Sequence, residues 1–233
     1  IDAHLDFSAD VAGFLRSNSS PFRRAAELPF IGSITVIGVR GIRTSPEAYA
    51  AAVRRGNRIV TMREWREAWA RRRGYAVEGV PHAGVGMAGA TVDGAGTAGP
   101  AEGAVPGSGA DTDPVCGGRS AQDGPFAPGD EGNPLALFLE TIPRGEPLYI
   151  SLDIDGLDPS VAPGTSSPEP GGLTYEEVRE ILRLAGRRAR VVGIDVVEVN
   201  PYLDPGGITA LLVARLLIEA MAYSFTIPGL PAA

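Results

Sequence analysis

The chain has 233 residues, 44% of them hydrophobic, and a net charge of −7. That is long enough for one substantial core, and its acidity argues against nucleic acid as a partner. No apolar run reaches the roughly 18 residues of a membrane span. Cys116, the single cysteine, excludes an internal disulfide framework and suits a reducing, cytoplasmic setting. All 21 basic residues are arginine, which we read as coding bias.

The chain opens Ile1-Asp2-Ala3-His4-Leu5-Asp6 without Met and reads as starting in mid-strand, as expected of a trimmed or fragmentary start. Residues 34–39 read as a strand. Ser45-Pro46 then opens a helix that should end before Gly56. Arg58-Ile59-Val60 is a short strand, and Thr61 with Glu64 forms a capping box for a helix to Arg73. Residues 84–132 hold 14 of the 31 glycines, with seven acids against Arg119. That segment carries −6 of the −7 and leaves −1 for the rest. It buries too little apolar surface to offset its ordering entropy, so we expect a flexible acidic insertion within a single domain. His82 beside it is assigned to loop.

Beyond the insertion, residues 135–141 read as a short helix and residues 147–153 as a strand. Thr174 and Glu177 make a second capping box, with Leu173 and Val178 as its hydrophobic staple, on a helix expected to stop at Gly186. Residues 190–197 form a Val- and Ile-rich strand, and residues 208–223 an apolar helix expected to be largely buried. Strands alternating with helices, and apolar on both faces, indicate an α/β fold. Its mostly parallel sheet would be covered on both sides.

Two acidic clusters, Asp2-Ala3-His4-Leu5-Asp6 and Asp153-Ile154-Asp155, lie about 150 residues apart, each at the end of an apolar run. Strand alternation would turn Asp2 and His4 to one face, and Asp153 and Asp155 to another shared face. Asp6 can join them only if the chain bends after His4. Crowded buried carboxylates require a partner or a metal. This mostly oxygen set favours a hard ion such as Mn²⁺. Two ions about 3.5–4 Å apart can share a water and lower its pKa. Asp155 could then move its proton. Glu198, before the turn at Asn200-Pro201, suits a cationic group such as a guanidinium, which a carboxylate meets by two parallel hydrogen bonds. Residues 158–172 form a stiff Pro- and Gly-rich loop whose Thr165, Ser166 and Ser167 hydroxyls can rim a pocket.

Taken in order, Asp2-Ala3-His4-Leu5-Asp6, Ser151-Leu152-Asp153-Ile154-Asp155-Gly156-Leu157-Asp158-Pro159, the loop through Gly172 and Glu198-Val199-Asn200-Pro201 resemble the ureohydrolase superfamily of arginases and agmatinases. The segment after Asp6 is more similar to the agmatinase branch. The resemblance implies a three-layer α/β/α fold, a two-ion manganese centre, release of urea from a small guanidino substrate, and a homotrimer or homohexamer. It implies Asp2, His4, Asp6, Asp153 and Asp155 as metal ligands, Glu198 as the group that orients the guanidinium, and Ser167 as a further contact. Alternatives from the same centre are a formimidoyl C–N hydrolase or a weakly active or inactive metal-binding subunit. Two departures stand out. The superfamily's upstream Gly-Gly-Asp-His ligand lies before Ile1, and the first strands of the sheet would be absent with it. Asn18 occupies the place where arginases and agmatinases carry a proton-shuttling His, and an amide neither gives nor takes a proton at neutral pH.

Overall fold

The computed structural model describes residues 1–73, 135, 138, 142 and 145–224. The proposed acidic insertion, His82 and Cys116 lie outside the described residues, as does most of the helix expected over 135–141.

Helix α1 (Pro21–Ala25) is followed by strand β1 (Thr35–Val39), helix α2 (Pro46–Arg55), strand β2 (Arg58–Thr61) and helix α3 (Met62–Arg72). Strand β3 (Pro147–Asp153), helix α4 (Tyr175–Arg188), strand β4 (Arg190–Val197) and helix α5 (Ile208–Ser224) complete the order. A proline at the first helical position and the Ser45 hydroxyl, accepting from the Ala48 N–H, start α2 as the sequence indicates. Short α1 was not expected, because its five-residue Arg- and Phe-containing run has no apolar period.

The sheet contains two parallel pairs, β1–β2 and β3–β4. The N-terminal residues join them. Ile1 donates to the Ser151 carbonyl and accepts from the Asp153 N–H, so it lies alongside β3. On its other side, Asp2 donates to the Ile37 carbonyl and Ala3 accepts from the Arg40 N–H, which ties the same segment to β1.

Strand alternation then divides the core. Val36 and Ile59 pack with Ala51 and Ala52 of α2 and with Leu5 and Phe7. Ile37 and Val60 pack on the opposite side with Trp65 and Ala68 of α3, in a core shared with Ile150, Leu152, Ile181, Leu182 and Leu216. Helices on both faces of parallel strands give the expected α/β/α layering.

Both capping boxes form, at Thr61–Glu64 and Thr174–Glu177. The second has a wider role. Glu177 is fully buried; one carboxylate oxygen closes the cap with Thr174, and the other accepts from Trp65 Nε1 at 3.0 Å and Arg66 Nη1 at 2.5 Å. Local capping chemistry thereby locks α4 to α3.

Two expectations about helices are corrected. Helix α4 does not stop at Gly186 but runs two residues further, to Arg188. A Cβ at Gly186 would meet the Tyr223 carbonyl oxygen at 2.7 Å. Glycine is present there so that α5 can approach, not to end the helix. Helix α5 is also not largely buried: Leu211 is 73% exposed, and Ile208, Ile218 and Met221 are exposed as well. A helix apolar on most sides hides which face packs, and here the buried residues are Thr209, Leu216, Glu219 and Ala220.

Replacing Glu177 by Ala removes a cap worth about 1 kcal/mol and leaves the buried Trp65 N–H without a partner, a loss of about 1–3 kcal/mol. We expect chemical denaturation to show about 2–4 kcal/mol of destabilisation. A change below about 0.5 kcal/mol would contradict the tie between α3 and α4.

Candidate metal centre and substrate pocket

The site lies beyond the carboxyl ends of the strands, where parallel α/β sheets hold their ligands. Asp2 is almost fully buried, and its carboxylate accepts from the His4 N–H at 2.6 Å. This turn bends the chain at Ala3-His4 and directs the imidazole at Asp155. His4 Nδ1 stands 2.9 Å from Asp155 Oδ2 and 3.7 Å from Asp2 Oδ1. One ligand-type atom from each of Asp2, His4 and Asp155 falls within 4.8 Å of the others. The two sequence clusters therefore converge.

Asp153 ends β3, but Asp155 does not continue the strand. It sits in a 3₁₀ turn over Ile154–Gly156, where the Asp153 carboxylate accepts from the Asp155 N–H at 2.9 Å. Strand alternation was thus the wrong reason for pairing these residues. A hydrogen bond folds Asp155 back, and the Ala3 N–H holds its other oxygen at 3.1 Å.

Asp6 joins by the bend the sequence demanded, with a φ of 48°. Glu198, just past β4, has a φ of 62°. Both lie in the left-handed region that non-glycine residues seldom occupy, a strain typical of functional sites.

Above this cluster is a cavity of about 60 Å³. His4, Asp6, Asp153, Asp155, Glu198, Ser167 and Asn18 line it; Asp2 lies behind them. The expected metal ligands, Glu198, Ser167 and Asn18 are thus brought together, Asp2 through its bond from the His4 N–H, whereas Thr165 and Ser166 are not among the lining residues. Asp6 and Asp153 stand outside the tight trio of Asp2, His4 and Asp155. Arg43 and Thr44 also line the cavity and were missed, because an Arg-Thr pair after a strand carries no motif.

Arg40 was missed as well. Its guanidinium donates to seven carbonyl contacts. Nε reaches Glu169 at 3.2 Å and Pro170 at 3.1 Å, and Nη1 reaches Gly38 at 3.1 Å and Gly156 at 3.2 Å. Nη2 reaches Asp155 at 2.8 Å, Leu157 at 3.1 Å and Glu169 at 2.6 Å. One planar fork thus binds the turn bearing Asp155 to the proline-rich loop. Gly41 beside it leaves space for the imidazole, since a Cβ there would meet His4 Cδ2 at 2.5 Å.

Burial first, and then neighbouring carboxylates, push Asp2 and Asp153 up to about 8 from an ordinary 3.8. Burial, followed by the charge of Asp153, lifts Asp6 to about 7. The hydrogen bond to Asp155 raises His4 to about 9. For Asp155, burial pushes upward, but the bonds from His4 and the Ala3 N–H outweigh it and leave the group below its usual range. His4 Nε2 is buried and makes no hydrogen bond, although Glu169 Oε1 lies at 3.5 Å. Carboxylates that must hold protons to share one buried space, with a single imidazole among them, fit a hard divalent cation.

Parallel strands covered by helices, with an acidic and imidazole cluster at their carboxyl ends, define an α/β protein built around a candidate cation site. A model described as the Arginase family matches residues 1–80 and 130–223, and the chain belongs to that family. Over 77 residues it is 52% identical to guanidino acid hydrolase, mitochondrial, of Homo sapiens, covering 33% of this chain and 22% of that protein. Over 83 residues it is 51% identical to agmatinase, mitochondrial, of Gallus gallus, covering 36% and 23%. The solved proclavaminate amidino hydrolase of Streptomyces clavuligerus superposes with a TM-score of 0.59 at 26% identity, over 96% of this chain and 55% of that one. The matches thus span about a quarter of those curated relatives and about half of the solved chain. No helix among the described residues is long and apolar enough to cross a membrane.

Unfolded chain releases the Asp2 and Asp153 protons near 3.8, whereas folded chain keeps them to about 8. Folded protein therefore binds more protons throughout that window, and stability falls as pH rises across it. His4 acts in the same direction: its charged form stabilises below 6.5, and that contribution is lost as pH rises through about 9. In chelator, Tm should fall between about pH 5 and pH 8, and Mn²⁺ should flatten the decline. A chelated protein whose Tm ignores pH would contradict the buried acidic cluster.

Arg40→Ala should destabilise by about 2–4 kcal/mol. Arg40→Lys should recover less than half of that, because an ammonium has three donors and no fork. Full recovery by Lys, read in denaturant melts, would show that charge alone matters.

Proposed function

We propose that the chain carries a manganese-dependent centre that hydrolyses the guanidino C–N bond of a small guanidino compound and releases urea. The observation that carries this reading is the approach of Asp2, His4 and Asp155 to within 4.8 Å beneath a cavity lined by Asp6, Asp153 and Glu198. Membership of the arginase family supports it, as do relatives named guanidino acid hydrolase and agmatinase.

Asp2, His4, Asp6, Asp153 and Asp155 would hold two Mn²⁺ ions. When bound, such ions supply a water of lowered pKa near neutral pH. The rest falls to side chains of this chain. Glu198 accepts from the guanidinium and orients its carbon toward the carboxylates. Ser167 and Asn18 offer a hydroxyl and an amide to the same group. We assign proton movement to Asp155, whose Oδ2 lies 2.9 Å from His4 Nδ1. Water adds to the guanidino carbon, the bond from carbon to the alkyl nitrogen breaks, and the proton passes to that nitrogen. The products are a primary amine and urea. Burial of Asp153 and Asp155 excludes bulk water from this end, which strengthens each electrostatic contact.

Protein loaded with Mn²⁺ is expected to release urea from at least one member of a guanidino panel. Asp153→Ala should abolish both urea release and metal uptake, the latter read by elemental analysis. Urea from no member of the panel rules the reading out. Ammonia or formamide in place of urea would redirect it to a formimidoyl C–N hydrolase.

A further inference from the structure

The cavity has two electrostatically different ends. Its buried end is acidic: Asp153 and Asp155 are 6% and 2% exposed, and Asp6 and Glu198 adjoin them, half-buried. These four are the acids among its lining residues. Arg43, also a lining residue, is exposed to solvent, and no ion pair engages it among the described residues. The other non-acidic lining groups near the exterior, Ser8, Asn18, Ser19 and Thr44 among them, are uncharged. Arginine stays charged at any physiological pH.

A linear guanidino compound that places its guanidinium against the acids extends its far end toward the opening. Two otherwise similar substrates differ there. A guanidino acid ends in a carboxylate, which an arginine fork meets bidentately. Agmatine ends in an ammonium, which would find no acid left to pair with and a cation nearby. The polarity of the cavity therefore matches a dipolar ligand, with its cation inward and its anion outward.

We propose that Arg43 is a specificity-determining residue that selects guanidino acids over guanidino amines by binding the distal carboxylate. This rests on the guanidino reading above and names its substrate class. Arg43 has no part in the bond-breaking step. Its effect belongs in binding, in KM more than kcat. At a solvent-exposed position the contribution is modest and screened by salt.

The test compares 4-guanidinobutanoate with agmatine on Mn²⁺-loaded protein, by kcat/KM and by calorimetric binding, for wild type, Arg43→Ala and Arg43→Glu. Wild type should favour 4-guanidinobutanoate by about fivefold to thirtyfold, mainly through KM, and the preference should shrink as ionic strength rises. Arg43→Ala should erase most of that preference, and Arg43→Glu should reverse it toward agmatine. Because Arg43 is exposed, both variants should keep the wild-type Tm. A variant that melts early is judged by calorimetric binding below its melting temperature. A wild type that prefers agmatine, or an Arg43→Glu variant with the wild-type ratio, overturns this inference alone. Binding and turnover of neither compound overturns the guanidino reading and this inference with it.

Discussion

Repulsion among carboxylates packed into one buried volume is the constraint on which this structure turns. Asp2, Asp153 and Asp155 are nearly solvent-free, and Asp6 and Glu198 adjoin them. Charges so placed tolerate burial only with protons, donors or cations. Every nearby feature answers to that condition. His4 turns its Nδ1 into the group, backbone N–H groups of Ala3, His4 and Asp155 each bond a carboxylate, and left-handed backbone at Asp6 and Glu198 is maintained. Such strain persists only where the surrounding fold over-determines it.

The scaffold achieves this by holding short segments from several places in the chain. Residues 1–3 bridge β1 and β3, so Asp2 and Asp153 emerge side by side. Beneath them, the Glu177 cap holds α4 to α3. Above, Arg40 binds the Asp155 turn to Glu169 and Pro170 by its guanidinium, and to Ala3 by its backbone. A further tie, from the Asn200 amide to the Ser166 hydroxyl at 2.9 Å, joins the loop after Glu198 to the one bearing Ser167. Rigid supports of this kind keep a few polar groups in register without relying on the side chains' own limited stiffness.

Elements governed by local chemistry were legible in advance. Proline at the first helical position, Thr-x-x-Glu caps and Val- and Ile-rich runs act over three to eight residues. Helices α2 and α3 and strands β2, β3 and β4 begin where those signals lie. The acidic clusters were legible because two of them, one carrying a histidine, each close an apolar run. Expectations failed where the deciding contact came from elsewhere in the chain. Gly186 looks like a stop signal until Tyr223 of a distant helix is seen against it. Helix α5 is apolar on most of its surface apart from Arg215 and Glu219, so its pattern does not distinguish its packed face from its exposed one.

From residue types and spacing came the α/β class and the parallel strands; from the resemblance of several motifs in order came the family and most of the side chains that gather at the site. The means by which they gather belonged to the tertiary structure. It made Asp155 turn back on a 3₁₀ cap, set Arg40 across two loops and put Arg43 at the rim of an otherwise acidic cavity. Arg40 reaches Asp155 and Glu169 from more than a hundred positions away, and Arg43 shares its cavity with Asp153 and Glu198 at similar separation. The Asp155 cap is local, but no local pattern encodes the distance between segments that only folding brings together.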